Sequence, residues 1–178
     1  MQTAVITASA SVIVAVLVFV LNQRGQVRQE RRQARLSRIN SQLRELYGPL
    51  HALVDINERI WESLRASGLP SKEHRQPAAP SEHWRRWRDH ALMPANLKMR
   101  DLIIEHADLL IEIDFPKPLQ DFCAHVTSYE VFLFDEEERL GTQVLVRHPG
   151  SAYVEYVRNS FARLKAEQLQ LLRMTDLA

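Results

Sequence analysis

The amino-acid sequence predicts an all-α protein, with an N-terminal transmembrane helix followed by a cytoplasmic helical bundle. Three observations support this fold class: an uncharged apolar segment, an arginine-rich segment directly after it, and helical spacing of the apolar residues through most of the remainder. We expect a transmembrane anchor at residues 1–23, a basic juxtamembrane helix at 24–38 and one cytoplasmic helical domain at 39–178.

The predicted anchor is the uncharged segment 1–23, whose apolar core occupies residues 4–21. A helix rises about 1.5 Å per residue, so roughly 17 to 25 apolar residues are needed to cross a bilayer. The alternative is a cleavable signal peptide, which needs a positive charge before the apolar core and small residues at its end. No charge precedes Arg24, and residues 16–21 are bulky. Both observations favour a retained anchor.

The basic segment predicts both the orientation and the lipid contacts. It contains Arg24, Arg28, Arg31, Arg32, Arg35 and Arg38. Only Glu30 opposes these six arginines, so residues 24–38 carry a net charge of +5, and the total of +1 leaves −4 for residues 39–178. The positive-inside rule keeps this flank cytoplasmic and places the N-terminus outside. We expect the arginines to contact anionic lipid headgroups, and the charge distribution argues against nucleic acid as the main partner.

Two apolar patterns raise the possibility of self-association. Small residues share one stripe of the anchor at Ala4, Ala8, Ser11 and Ala15, and a heptad seam follows at Leu36, Ile39, Leu43 and Leu46. Both lie in the same heptad frame, so one interpretation is a parallel homodimer that closes along both segments. The other is that the leucine seam packs on its own domain. Gly48–Pro49 interrupts any long coiled coil and favours the second interpretation. It also predicts a kink near Tyr47.

The middle of the sequence predicts a loop and two helices. Residues 67–80 hold three prolines and a glycine without an apolar period, which indicates a surface loop. A short helix capped by Ser81 then ends near Met93–Pro94, and we expect the next helix at residues 95–113. The short helix carries Trp84 and Trp87, which either cover the bundle or lie at the membrane face among neighbouring arginines.

The C-terminal part predicts two further helices. Phe115–Pro118 ends the preceding helix, and the next one carries an apolar stripe at Leu119, Phe122, Val126, Tyr129 and Leu133. Residues 142–147 have strand composition without an evident partner, so we expect an extended connection. The last helix begins at Ser151, and its apolar stripe continues to Leu172.

Catalytic motifs are absent from the sequence. The glycines are isolated and form no phosphate-binding loop, and no hydrolase or kinase signature occurs. The enzyme alternative is a metal site drawn from His90, His106, Asp108 and His125 with Asp101 or Glu105, although this spacing favours partly buried histidines with ordinary hydrogen bonds. Cys123, a single cysteine in an apolar helical pattern, is expected to be a buried side chain rather than a nucleophile. No cofactor is expected.

Four segments carry a resemblance to a known group of proteins: residues 43–50, with the letters LRELYGPL, 92–96, 106–109 and 121–125. They resemble small single-pass bacterial membrane proteins of unassigned function. The resemblance implies a bacterial inner-membrane location and a shared helical fold, and it supplies no catalytic residue.

The sequence therefore predicts a non-enzymatic, single-pass inner-membrane protein whose cytoplasmic bundle is a protein-interaction or assembly module. Its predicted partners are the lipid bilayer and a protein of unknown identity, with a homodimer as one form. The alternative is a membrane-tethered enzyme or sensor that uses a pocket of histidines and carboxylates.

Overall fold

The computed structural model describes residues 2–67, 82–137 and 146–173, and the side chains of residues 2–17, 136 and 137 lie outside this description. Every regular element in this part of the chain is helical. The fold is therefore all-α, as the sequence predicts. Residues 68–80 of the predicted loop at 67–80, and most of the predicted extended connection, lie outside the described residues.

The described residues form α1 (Gln2–Ser41), α2 (Gly48–Ala66), α3 (Glu82–Trp87), α4 (Met93–Glu105), α5 (Lys117–Glu137) and α6 (Ser151–Arg173). A π-helical turn at Gln42–Tyr47 joins α1 to α2, and a second one at Arg88–Leu92 joins α3 to α4. A short 3-10 turn, Ala107–Leu109, follows α4. Helices α1 and α2 therefore form one long helix interrupted by a π-helical turn, and α3 and α4 form a second. Helices α5 and α6 follow them.

Each π-helical turn ends two residues before a proline that lies in the first turn of the next helix. Pro49 lacks an amide hydrogen and its ring would meet the carbonyl four residues earlier. The wider turn resolves this conflict, because the amide of Gly48 donates to the carbonyl of Leu43, five residues back. Met93 donates to Arg88 in the same way before Pro94. The kink predicted near Tyr47 corresponds to a widened turn within a continuing helix.

Helix α6 runs antiparallel to the α1–α2 helix. Later residues of α6 contact earlier residues of the α1–α2 helix. Gln168 donates to Asn40 over 2.7 Å, whereas Arg158 contacts Asp55 over 2.8 Å. Phe161 stacks on His51 between these two points, with ring centroids 4.3 Å apart. The C-terminal end of α6 therefore lies beside the part of α1 that enters the bundle.

One core holds the helices together. Its most deeply buried large side chains are Tyr47, Phe122, Leu46, Leu50, Met99, Ile103, Leu119, Leu164, Val54, Val126 and Val157. Tyr47 is the polar member, and its hydroxyl group lies 3.1 Å from that of Tyr156 and accepts the amide of Ile111 over 3.3 Å. Burial raises the pKa of Tyr47 above its usual range. Both tyrosines stay protonated at neutral pH and serve as hydrogen-bond partners.

The leucine seam belongs to this core. Ile39, Leu43 and Leu46 are buried in the same cluster, and Leu36 is half-buried above them. Their side chains pack against the rest of their own chain. This is the interpretation in which the leucine seam packs on its own domain and does not form a coiled coil with another copy. The first three are therefore not surface residues on which another copy could dock.

Helix α4 ends earlier than predicted. It stops at Glu105 instead of residue 113, and the chain turns so that Leu109 and Leu110 enter the core. The side-chain amide of Gln42 donates to the carbonyl of Leu109 over 2.9 Å, and this bond from a distant helix replaces one that a continued helix would have made. The prediction fails because tertiary hydrogen bonds outweigh local periodicity here.

Among the residues whose side chains are described, no helix is long and apolar enough to cross a membrane. The predicted anchor is mostly beyond this range: residues 2–17 are helical, but their side chains lie outside the description, including Ala4, Ala8, Ser11 and Ala15. The transmembrane helix therefore stays a prediction.

The widened turn generates a stability prediction. A Cβ atom at Gly48 would clash with the carbonyl oxygen of Leu43. We expect Gly48→Ala to lower the free energy of unfolding of the full chain by about 1 to 3 kcal/mol, the usual cost of overpacking. Urea unfolding in detergent, followed by circular dichroism, measures this change.

The matched control is Gly25→Ala, because open space surrounds that glycine in α1. It should leave the unfolding midpoint unchanged or raise it slightly. Equal midpoints for the two variants would show that close approach at Gly48 is not required.

Candidate functional site

A cleft of about 970 Å³ opens at the end of the bundle where α6 begins. Side chains from α2, α3, α4, α5 and α6 contribute to it, together with the second π-helical turn and the segment before α6. The principal lining residues are Glu58, Trp61, Arg65, Trp84, Arg88, Asn96, His125, Tyr129, His148, Glu155 and Arg158. The cleft is remote from the arginine-rich part of α1, because the whole length of α6 separates the two.

Two tryptophans from different helices form one wall of the cleft. The rings of Trp61 and Trp84 lie with centroids 5.5 Å apart at an angle of 39°. Below them, the side-chain amide of Asn57 donates to Asn96 over 3.2 Å and joins α2 to α4. This position supports the interpretation of Trp84 as an aromatic cover of the bundle, since α2 carries Trp61 away from the basic segment.

The cleft contains charges of both signs. The guanidinium group of Arg88 is buried and makes two hydrogen bonds with Asp89, of 2.6 and 3.2 Å. Arg158 pairs with Asp55 at the rim. Glu155 is exposed and lines the same cleft. The cleft therefore offers aromatic surface with hydrogen-bonding and ionic groups of both signs, a combination that suits a polypeptide segment better than a small anion.

Two histidines fix the segment that leads into α6. Nδ1 of His125 lies 2.6 Å from the carbonyl oxygen of Val146, and the amide of Val146 donates to the hydroxyl of Ser128. His148 packs at right angles to His125 with centroids 4.9 Å apart, and its Nδ1 accepts the amide of Gly150 over 2.9 Å. These contacts hold residues 146–150 against α5. His125 is therefore a half-buried, hydrogen-bonded histidine.

The three candidate metal ligands do not form a site. His90 is exposed on the second π-helical turn, His106 follows the end of α4, and His125 contacts Val146 on α5. Within the described part of the chain, no group of three or more histidine, cysteine, aspartate or glutamate side chains could hold a metal ion. This arrangement gives no support to the metal-pocket alternative.

The arginines predicted to contact lipid fall into two groups. Arg24, Arg28 and Arg31 lie in the stretch 18–31, in which every residue is exposed. In contrast, Arg35 pairs with Glu167 of α6, and Arg38 donates to the carbonyl of Asp108 over 3.0 Å. Arg32, between the two groups, is half-buried. Arg35 and Arg38 therefore attach α1 to the bundle while remaining exposed, and contact of the six arginines with lipid stays a prediction.

Sequence reasoning did not identify most of the cleft. Trp61, Arg65, His148 and Arg158 come from three separate parts of the chain, and no short spacing links them. The available signals were a second tryptophan on the helix before the proline-rich segment and a histidine within the turn that precedes the last helix. Neither specifies a contact without the fold.

Comparison with known proteins gives no match, whether to a protein-family model, to a curated protein or to a solved structure. The resemblance to small bacterial membrane proteins therefore stays a prediction.

The environment of Cys123 generates a prediction on thiol reactivity. The side chain is half-buried, and burial raises its pKa to about 11. Because only the thiolate reacts, we expect modification by a disulfide reagent at pH 8 to be about 100-fold slower than for a free cysteine. The rate should rise as the pH approaches 11. Absorbance at a fixed reagent concentration follows the reaction.

The control for Cys123 is the same chain unfolded in urea, in which the thiol should react at the ordinary rate. A fast reaction of the folded protein at pH 8 would show that the thiol is accessible and ionised.

Proposed function

We propose that the chain is a single-pass protein of the bacterial inner membrane whose cytoplasmic helical bundle is a protein-interaction module. In this proposal the N-terminal part of α1 spans the bilayer with its N-terminus outside. The bundle then presents its cleft to a protein partner at the end remote from the lipid. No catalytic step is assigned.

The observation that carries the proposal is the exposed stretch of α1 before the bundle. Residues 18–31 are exposed on every side of the helix, and they include the large apolar side chains Phe19 and Leu21. Water is a poor environment for these groups, and an isolated helix of this length is marginal in water. Lipid would cover the apolar end, and Arg24 and Arg28 would follow within about 10 Å of Leu21, where headgroup phosphates lie.

The composition of the cleft supports the proposal that its partner is a protein. Its walls combine the Trp61–Trp84 pair with arginine and glutamate side chains, and aromatic residues with arginine are enriched where proteins bind one another. The cleft is built on helices that share one core, so it is preformed rather than assembled on binding.

The proposed orientation predicts the result of a reporter fusion. A reporter enzyme that works only in the cytoplasm should be active when it is fused after Ala178, and the fusion should sediment with membranes and require detergent for release. The physical reason is the excess of arginine on the C-terminal side of the anchor.

The control for orientation adds arginines before residue 4, which removes the charge asymmetry and should give mixed activity. Activity of a periplasmic reporter in the unmodified chain, or recovery of the chain in the soluble fraction, would contradict the proposed topology.

The proposed partner site predicts a loss of capture on charge reversal in the cleft. In affinity purification from detergent, we expect the combined variant Arg65→Glu and Glu155→Arg to lose partner proteins that the unmodified chain retains, by at least tenfold. Both side chains lie at the cleft and are exposed, so their replacement should leave the fold intact. Quantitative mass spectrometry measures the recovery.

The matched control is Lys98→Glu, an exposed charge reversal on α4 that does not line the cleft. It should keep the partners. An identical set of partners for all three proteins would contradict a partner site in the cleft.

A further inference from the structure

Two carboxylates of the cleft lie at the same level of the contact between α2 and α6. Glu58 on α2 and Glu155 on α6 both line the cleft. Arg158 on α6 pairs with Asp55 on α2 over 2.8 Å. Because the two helices are antiparallel, three residues back along α6 and three residues forward along α2 lead from this pair to the two glutamates. They therefore lie about one turn beyond the ion pair, on the same sides of their helices.

Within the described part of the chain, neither glutamate forms an ion pair. Arg158 directs two nitrogen atoms to one oxygen of Asp55, at 2.9 and 2.8 Å. Arg65 donates Nε to the carbonyl of Trp61, and it follows Glu58 by seven residues, which corresponds to about 10 Å along α2. Two like charges at one level of a helix contact repel each other, so a positive charge bound at this level would stabilise the cleft.

The other charges of the cleft favour a basic partner over an acidic one. Arg88 makes hydrogen bonds of 2.6 and 3.2 Å with Asp89, and Arg158 pairs with Asp55. Each of these guanidinium groups therefore already faces a carboxylate. An acidic partner would compete with those carboxylates, whereas a basic partner would meet the two glutamates directly. Complementary charge across an interface is what selects one partner over another.

The aromatic wall narrows the kind of cation. Trp61 and Trp84 line the same cleft, with ring centroids 5.5 Å apart. A guanidinium group is planar, stacks on indole rings and has five N–H donors for carboxylate oxygens, whereas an ammonium group is a compact, strongly hydrated charge with three donors. In the residues described, no group of three side chains could hold a metal ion. An arginine side chain therefore fits the cleft better than a lysine or a metal.

We propose that the cleft binds an arginine side chain of a partner protein, with the guanidinium group between Glu58 and Glu155 and stacked on the Trp61–Trp84 wall. This inference rests on the proposed partner site, and it specifies the chemistry that the site recognises. Arginine and tryptophan are among the residues that contribute most to binding between proteins.

Peptide binding to the full chain in a non-ionic detergent tests the proposal. The probes are acetyl-Gly-Arg-Gly-amide and the matching lysine and glutamate peptides, and tryptophan fluorescence follows binding. We expect the arginine peptide to bind about tenfold more tightly than the glutamate peptide, and also more tightly than the lysine peptide. Its affinity should fall as salt is added. Equal affinity for the arginine peptide and either of the other two would overturn the proposal.

Charge-neutral variants locate the bound arginine. Glu58→Gln and Glu155→Gln each remove one negative charge with little change in shape, and each should lower the affinity for the arginine peptide about tenfold. The matched control is Glu62→Gln on α2, because this side chain pairs with Arg59 over 3.0 Å and does not line the cleft. It should bind the peptide as the unmodified chain does. Unchanged affinity in the first two variants would overturn the proposal.

Urea unfolding of the same variants distinguishes a binding role from a structural one. Without peptide, Glu58→Gln should raise the unfolding midpoint, because it removes the repulsion between two like charges. A carboxylate that stabilises the fold through a partner of its own would give the opposite change. A lower midpoint for Glu58→Gln would therefore overturn the proposal.

Affinity capture separates this inference from the proposed function. Full recovery of partner proteins by Glu58→Gln, with loss by the combined variant Arg65→Glu and Glu155→Arg, would overturn the arginine inference and leave the cleft as a partner site. Full recovery by the combined variant as well would overturn the partner site itself.

Discussion

Pro49 lies in the interior of the long α1–α2 helix, and the rest of the structure depends on how the backbone accommodates it. Without an amide hydrogen at this position, an ordinary helix would lose a bond and clash with its preceding turn. The π-helical turn at 42–47 avoids the clash, and the absence of a side chain at Gly48 allows the close approach that this turn needs. The helix then continues, so α1 and α2 form one long helix with a widened turn in it. Helix α6 packs against this helix from Arg158 to Gln168.

The same turn positions the hydroxyl group of Tyr47, which hydrogen-bonds to other parts of the chain within the core. It presents Tyr47 toward the interior, where its hydroxyl binds Tyr156 of α6 and the amide of Ile111 after α4. Three separate parts of the chain therefore meet at one oxygen atom. Burial raises the pKa of Tyr47, and burial together with the bonds to Tyr47 and Glu112 raises that of Tyr156, so neither group ionises at neutral pH. Around this junction, Leu109 and Leu110 leave the helical path and complete the core.

Periodicity in the sequence was sufficient to predict an all-helical chain and the inner face of α5, because burial of one apolar face leaves a repeat of three to four residues. The early end of α4 was not predictable, since Gln42 supplies the replacing hydrogen bond from 67 residues away. The cleft was not predictable for a similar reason: Trp61 and Trp84 meet only once α2 and α3 are placed side by side. The partners of Arg35 and Arg38 likewise required the fold.

The arginines of α1 divide this helix into an exposed part before the bundle and a part that packs within it. Arg35 contacts α6 and Arg38 contacts the turn after α4, so α1 is part of the bundle from that point onward. Under the membrane proposal, the distance between lipid and cleft is then set by the α1–α2 helix itself. About 40 residues separate Leu21 from Trp61, which corresponds to roughly 60 Å of helix. A partner bound in the cleft would be held at a fixed height above the bilayer.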